Sequence, residues 1–165
     1  MKTLLIFRHA KSDWNAAFRY DHDRPLSQRG IGAAGVMGAW LATKGPLPDT
    51  IVCSTARRTR QTLELASRAG SWEAPVHFSA ALYGASLSDV LDLVRSESEK
   101  TRTLMLIGHE PTSSEVIGRF ADQLAPRFPT AAMARIDFEI TQWRKARWAG
   151  GRLIWLQRPK ELPAQ

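Results

Sequence analysis

Thr3-Leu4-Leu5-Ile6-Phe7 runs without a break into Arg8-His9, and this junction decides how the rest of the chain is read. A five-residue apolar run bounded by charge reads as a buried strand. In open α/β sheets ligands bind just past strand ends, so the guanidinium and imidazole that follow stand where chemistry is done. The pattern recurs twice. Thr50-Ile51-Val52-Cys53 runs into Ser54-Thr55-Ala56-Arg57-Arg58, and Thr103-Leu104-Met105-Leu106-Ile107 runs into Gly108-His109-Glu110-Pro111. If the three strands are parallel, their ends share one edge carrying two histidines and several arginines. Such a cluster suits an anion with three or four oxygens, most simply a phosphoryl group.

Working outward, Lys11 to Pro25 is polar and aperiodic, the kind of long loop that usually has a function in a compact domain. Ser27 caps a predicted helix reaching about Thr43, with Ile31, Ala34, Met37, Gly38 and Leu41 on one face and Gly45-Pro46 ending it. A second helix after Arg57 carries Leu63 and Ala66. Val76 to Phe78 reads as a short strand. Ser86 to Asp89 resembles a capping box opening a helix with Leu87, Val90, Leu91 and Val94 inward, and Thr112-Ser113-Ser114-Glu115 is a second such box, before Val116, Ile117, Phe120 and Leu124. Residues 133–140 and 152–157 complete the sheet as an antiparallel pair. Alternating strands and helices predict an α/β fold, a three-layer α/β/α sandwich on a mostly parallel sheet, with 1–165 as a single domain.

Gly30-Ile31-Gly32-Ala33-Ala34-Gly35 matches the dinucleotide-binding fingerprint letter for letter. That motif works only where glycines turn a strand directly into a helix, and here about twenty residues intervene. Gly32, Gly35 and Gly38 instead suggest a helix packed close to the sheet. The N-terminal apolar segment is too short for a signal peptide, and no stretch approaches membrane-span length. Cys53 is the only cysteine, which excludes an intrachain disulfide, so a cytoplasmic protein is expected. A net charge of +7 points to acidic partners or substrates. Part of that excess lies between Thr141 and Lys160, where six cations (Arg144, Lys145, Arg147, Arg152, Arg158, Lys160) are interleaved with Trp143, Trp148 and Trp155. Bases can stack on such a surface. Ala149-Gly150-Gly151, however, reads as the turn of a solvated basic hairpin at the sheet edge, and no nucleic-acid partner is expected.

Arg57, Arg58 and Arg60 in the first turn of a helix oppose its macrodipole. A bound anion reverses the sign, because backbone N–H groups and guanidinium then face it together. Nearby guanidinium charge also disfavours protonation of His9, and a neutral imidazole is a good nucleophile toward phosphorus. His109 can donate a hydrogen bond to the same group. The four histidines show no metal-ligand spacing, and no cofactor is implied.

Arg8-His9-Ala10-Lys11-Ser12-Asp13-Trp14-Asn15 resembles the Arg-His-Gly-x-Thr/Ser-x-x-Asn signature of the histidine phosphatase superfamily, to which phosphoglycerate mutases belong. Ser54 through Thr62, with Arg58, Gln61 and Thr62, is similar to its second motif, and Gly108-His109 to its third. Asp21 through Gly30 resembles the small phosphohistidine phosphatase branch of the SixA type, and the likeness spans residues 3 to about 120. It implies a phosphoglycerate mutase-like fold, His9 as the phosphorylated nucleophile, and Arg8, Arg58 and His109 around the phosphate. Asn15 and Ser12 would add hydrogen bonds, and Lys11 would stand at the pocket mouth. Ala10 departs from the usual glycine.

A second departure bears on substrate. Leu82-Tyr83-Gly84-Ala85-Ser86 offers no carboxylate before Asp89, where many members carry a glutamate general acid. An alkoxide leaving group needs that proton, worth roughly 100- to 10,000-fold in rate, whereas a protonated imidazole does not. A protein phosphohistidine is therefore the expected substrate, with Asp13, Asp21, Asp23 and Glu110 as alternative proton donors. A phosphomonoesterase for sugar phosphates or nucleotides, or a silent phosphate or phosphoprotein binder, would use the same cluster. The partner is thus a phosphorylated protein or a small phosphorylated molecule, and the sequence leaves the oligomeric state open.

Overall fold

The computed structural model describes residues 1–163. Six strands form one sheet: β1 (Lys2–Arg8), β2 (Thr50–Ser54), β3 (Val76–Ser79), β4 (Thr103–Gly108), β5 (Met133–Phe138) and β6 (Gly151–Gln157). Their order is β3-β2-β4-β1-β5-β6. The pairings β3/β2, β2/β4 and β4/β1 are parallel, while β1/β5 and β5/β6 are antiparallel. Helices α1 (Gln28–Lys44), α2 (Arg57–Gly70), α3 (Leu87–Arg95) and α4 (Thr112–Phe120) connect and cover them.

Alternation along β1 divides the interior in two. Leu5 and Phe7 face a core shared with Ala34, Met37 and Leu41 of α1 and with Leu63 and Ala66 of α2. Leu4 and Ile6 face the other core, with Val90 and Val94 of α3 and Val116, Ile117 and Phe120 of α4. Because both faces are covered, β1, β2 and β4 are buried on both sides and read as unbroken apolar runs, as parallel strands do. This is the expected three-layer sandwich.

Several local expectations are corrected. Of Gly32, Gly35 and Gly38, residue 38 is the one where α1 requires glycine, and its neighbour is α2 rather than the sheet: a Cβ there would collide with the backbone of Ala66. Gly32 faces open space, and a Cβ on Gly35 would make ordinary contact with Ala69. Gly30 is needed for another reason, since its face lies against the backbone of Lys11. The α3 capping box forms as predicted, with Ser86 and Asp89 bonding each other's backbone N–H. The one at α4 does not. Glu110 instead caps α4, its Oε1 accepting from Ser114 N–H at 2.7 Å, while Thr112 Oγ1 turns aside to donate to the Ala85 carbonyl. Leu124 lies beyond the end of α4 and is 91% exposed, because the chain leaves the helix through Asp122 at φ 53°.

The basic tryptophan-bearing segment is no tight hairpin. Residues 139–150 connect β5 to β6 through a short 3-10 turn at Trp143–Lys145, and the fully buried Trp143 donates through Nε1 to the Thr101 carbonyl. Trp148 packs on Phe120, and Trp155 meets Trp40 edge to face. The rings serve the core and the α1 face, and the cations other than the partly buried Arg158 face outward.

Overpacking a close helix contact costs about 1–3 kcal/mol. Gly38→Ala should therefore lower stability in urea unfolding by about that much, despite a helix-propensity gain of about 1 kcal/mol. Gly32→Ala on the same helix should be neutral or stabilising. Equal effects at the two positions would contradict the close approach of α1 to α2.

Candidate active site

In the β1/β4 ladder Arg8 is paired with Gly108, so His9 and His109 follow side by side. Their ring centroids are 5.3 Å apart. The backbone of residue 9 is held from both sides: His9 N–H donates to the Gly108 carbonyl at 3.1 Å, and Ala131 N–H donates to the His9 carbonyl at 3.0 Å. The next residue is tied to α2, since Ala10 N–H donates to Thr62 Oγ1, which itself donates to the Arg58 carbonyl. Ala10 is wholly buried among Leu26, Phe7 and their neighbours, so the methyl group that replaces glycine fills core space.

His9 is 7% exposed. Its Nδ1 lies 2.7 Å from the Ala10 carbonyl, which can only accept, so Nδ1 carries the proton and Nε2 the lone pair. Burial pushes the His9 pKa down to about 3, opposed by the Ala10 carbonyl and assisted by His109, Arg58 and Arg8. His109 is lowered to about 4, chiefly by burial and then by Arg58. Both rings are neutral at pH 7. His109 Nε2 is 2.8 Å from Ser54 Oγ at the end of β2.

Arg58, in the first turn of α2, is buried, whereas Arg57 and Arg60 are exposed. Its two terminal nitrogens donate to Asp21, to the carbonyl at 2.9 Å and to Oδ2 at 3.1 Å. Arg8 donates through one nitrogen to the Phe128 carbonyl at 3.0 Å. Buried polar atoms nearly always find partners. Of the five buried side-chain polar atoms without one among the described residues, three are Arg8 Nε, Arg58 Nε and His109 Nδ1. Gathered around a neutral imidazole, these groups can receive an anion.

The remaining sequence candidates divide. Ser12 is buried, but its Oγ accepts from the Arg24 guanidinium. Asn15 is exposed, with its backbone N–H on Asp13 Oδ1 and its side chain hydrogen-bonded to nothing among the described residues. Lys11 is exposed and lines a separate basic pocket. Among the four carboxylates, Asp21 alone is bonded to Arg58. Burial alone would raise its pKa, but hydrogen bonds from Arg24 and Tyr83 and the charges of Arg58 and Arg24 hold it well below the usual carboxylate range. Glu110 is committed to α4, Asp13 to its own turn, and Asp23 stands 3.8 Å from His22. No group of three or more His, Cys, Asp or Glu side chains is arranged to hold a metal among the described residues.

Sequence reasoning missed four residues here. Arg24 is buried, stacked on Trp14 with its guanidinium 3.7 Å from the ring centroid, and braces Asp21 at 2.9 Å. Tyr83 donates to Asp21 Oδ2 at 2.8 Å and meets the rings of His22 and His109 edge-on. His22 Nε2 pairs with Thr55 Oγ1 at 2.9 Å. Ser54 orients His109. The usable signals were a loop arginine followed by proline, and a tyrosine in a stretch read only for its lack of acid.

Known proteins resemble this chain in sequence and in fold. The model of the histidine phosphatase superfamily (branch 1) matches residues 4–106. An uncharacterized protein of Mycobacterium tuberculosis is 37% identical over 137 residues, covering 77% of this chain and 84% of that one. The solved structure of a candidate phosphohistidine phosphatase SixA from Nakamurella multipartitia superposes with a TM-score of 0.84 at 31% identity, covering 96% of each chain. A second SixA candidate, from Agrobacterium tumefaciens, gives 0.82 at 27% identity, covering 96% of this chain and 98% of that one. With matching sequence motifs, the same fold and two neutral histidines flanked by arginines at parallel strand ends, the chain belongs to the histidine phosphatase superfamily, branch 1.

Proposed function

We propose that this histidine-dependent phosphatase removes phosphate from a protein phosphohistidine through a covalent intermediate on His9. One observation carries the reading: His9 is neutral, its Nδ1–H is committed to the Ala10 carbonyl, and its Nε2 lone pair is left among His109, Arg58 and Arg8. Nε2 attacks phosphorus. The P–N bond to the substrate ring breaks with its electron pair staying on that ring, and a ring already protonated at its other nitrogen departs as neutral imidazole. Water then attacks phosphorus, the bond to Nε2 breaks, and the lone pair returns to His9 while the water proton leaves with phosphate or solvent.

Arg8 and Arg58 offer their unpartnered Nε groups to the equatorial oxygens, a charge-assisted contact in a water-poor site. Ser54 Oγ accepts from Ala56 N–H and lies 2.8 Å from His109 Nε2, and in the proposed arrangement its hydroxyl donates to that nitrogen. His109 then carries its own proton on Nδ1 and acts as a neutral donor. Asp21 is ionised at neutral pH and braced by Arg24, Tyr83 and Arg58, so it organises cations rather than supplying a proton. A site without a ready acid favours the leaving group that needs none.

Rapid quenching with a phosphohistidine peptide should leave an acid-labile, base-stable phosphate on His9, and His9→Ala should reduce turnover to background. Arg58→Ala should cost about 10²–10³-fold in kcat/KM, as loss of one oxyanion donor does. Normal turnover with no label on His9 would reject the covalent route. Turnover of the phosphohistidine peptide should exceed that of glycerol phosphate by about 10²-fold or more, and the reverse order would transfer the assignment to phosphomonoesters.

The ring resonances of His9 and His109 should not titrate between pH 8 and 5 in NMR, since their midpoints are depressed to about 3 and 4. Both rings protonate near pH 6.5 once unfolded. The stability from keeping them neutral is thus fully present above pH 6.5 and is lost as pH falls toward 4 and 3. A His9 midpoint near 6.5 would contradict a nucleophile kept neutral by burial.

A further inference from the structure

A second cluster of cations stands at the same end of the sheet. A pocket of about 440 Å³ is lined by Lys11, Arg29, Arg127, Arg158 and Lys160, with no acidic residue in its wall. Three segments converge to make it: the chain leaving β1, residues 127–130 ahead of β5, and the chain leaving β6. Its outer wall is the first two turns of α1. In the sheet, Met133 is paired with Phe7 on one side and Gln157 on the other. Arg158 therefore leaves its strand in line with Arg8, two strand spacings away, or about 10 Å.

The two sites share a wall. Phe128 accepts from Arg8 and Ala131 donates to His9, so the segment that presents Arg127 and Thr130 to the pocket also braces the candidate nucleophile. The floor is fixed as well. Arg158 donates to the Arg127 carbonyl at 3.0 and 2.9 Å and to Glu161 at 2.8 Å. The other four cations are exposed and have no carboxylate within 4.0 Å among the described residues. Arg29 adds its charge in the first turn of α1, which holds no acidic residue. Concentrating positive charge at a helix start costs stability unless an anion comes to it.

We infer that this pocket receives the carboxylate side chains of an acidic segment on the phosphoprotein substrate, about 10–15 Å from the phosphohistidine. The inference rests on the phosphohistidine reading given above and adds to it a partner chemistry. None of Arg8, His9, Arg58 and His109 lines the pocket. One small molecule would have to cross the 127–131 segment to fill both sites, whereas a protein surface lying over the sheet end reaches both at once. An extended strand advances about 3.3 Å per residue, which puts the acids three to five positions from the phosphohistidine.

The test compares phosphohistidine peptides bearing glutamates or alanines three to five residues from the phosphohistidine, with phosphoramidate as the small substrate. Wild type should favour the acidic peptide at least tenfold in kcat/KM, through KM, and the preference should shrink with added salt. The double substitution Arg127→Glu and Lys160→Glu, at exposed positions, should abolish the preference and leave phosphoramidate turnover unchanged. Equal turnover of both peptides by wild type would overturn the inference while leaving the phosphatase reading intact. So would an equal loss on all three substrates in the double variant, or inhibition by inorganic tripolyphosphate without any peptide preference. No turnover of either peptide alongside rapid ester hydrolysis would remove the phosphohistidine reading and this inference with it.

Discussion

The pairing of β1 with β4, in the register that sets Arg8 opposite Gly108, is the constraint on which everything else rests. It brings residues 9 and 109 side by side across a hundred positions of sequence through a backbone ladder. A slip of one residue would turn Leu4 and Ile6 toward the wrong core and carry the imidazoles away from each other. Two separate cores, one on each face, enforce the register from above and below. Precision at the candidate active site is therefore a by-product of burying Leu4, Leu5, Ile6 and Phe7.

Once that edge is fixed, burial and positive charge act in the same direction. Both depress the imidazole pKa values, while the Ala10 carbonyl settles which nitrogen of His9 bears the proton. The cluster is expensive for the fold, because buried guanidinium groups need partners. Asp21 supplies one, and Arg24, Tyr83 and Trp14 hold Asp21 and its loop in place. The polar segment between β1 and α1 is thus an electrostatic counterpart to the strand ends rather than a mere connection.

What the sequence revealed follows the same physics. β1, β2 and β4 were legible because burial on both faces leaves unbroken apolar runs, and their ends directed attention to Arg8, His9, Arg58 and His109. The Ser86 box at α3 was legible because its signal is local. The Thr112 box at α4 misled: Glu110, two residues earlier, takes the Ser114 N–H while Thr112 turns to Ala85, and no pattern of spacing shows which carboxylate reaches the helix start. The role of Asp21, Tyr83 and Arg24 was hidden because their partners lie on other elements and the loop has no period. Gly38 was noticed for its spacing, but its neighbour across the helix interface required three dimensions.

The bond between Asp21 and Arg58 has a kinetic side. Tethered by its own loop, the Asp21 carboxylate sits at a high local concentration beside the guanidinium that the proposed mechanism assigns to phosphate. Any free anion must share Arg58 with this resident rival. Under the proposed mechanism the departing phosphate is thereby discouraged from lingering.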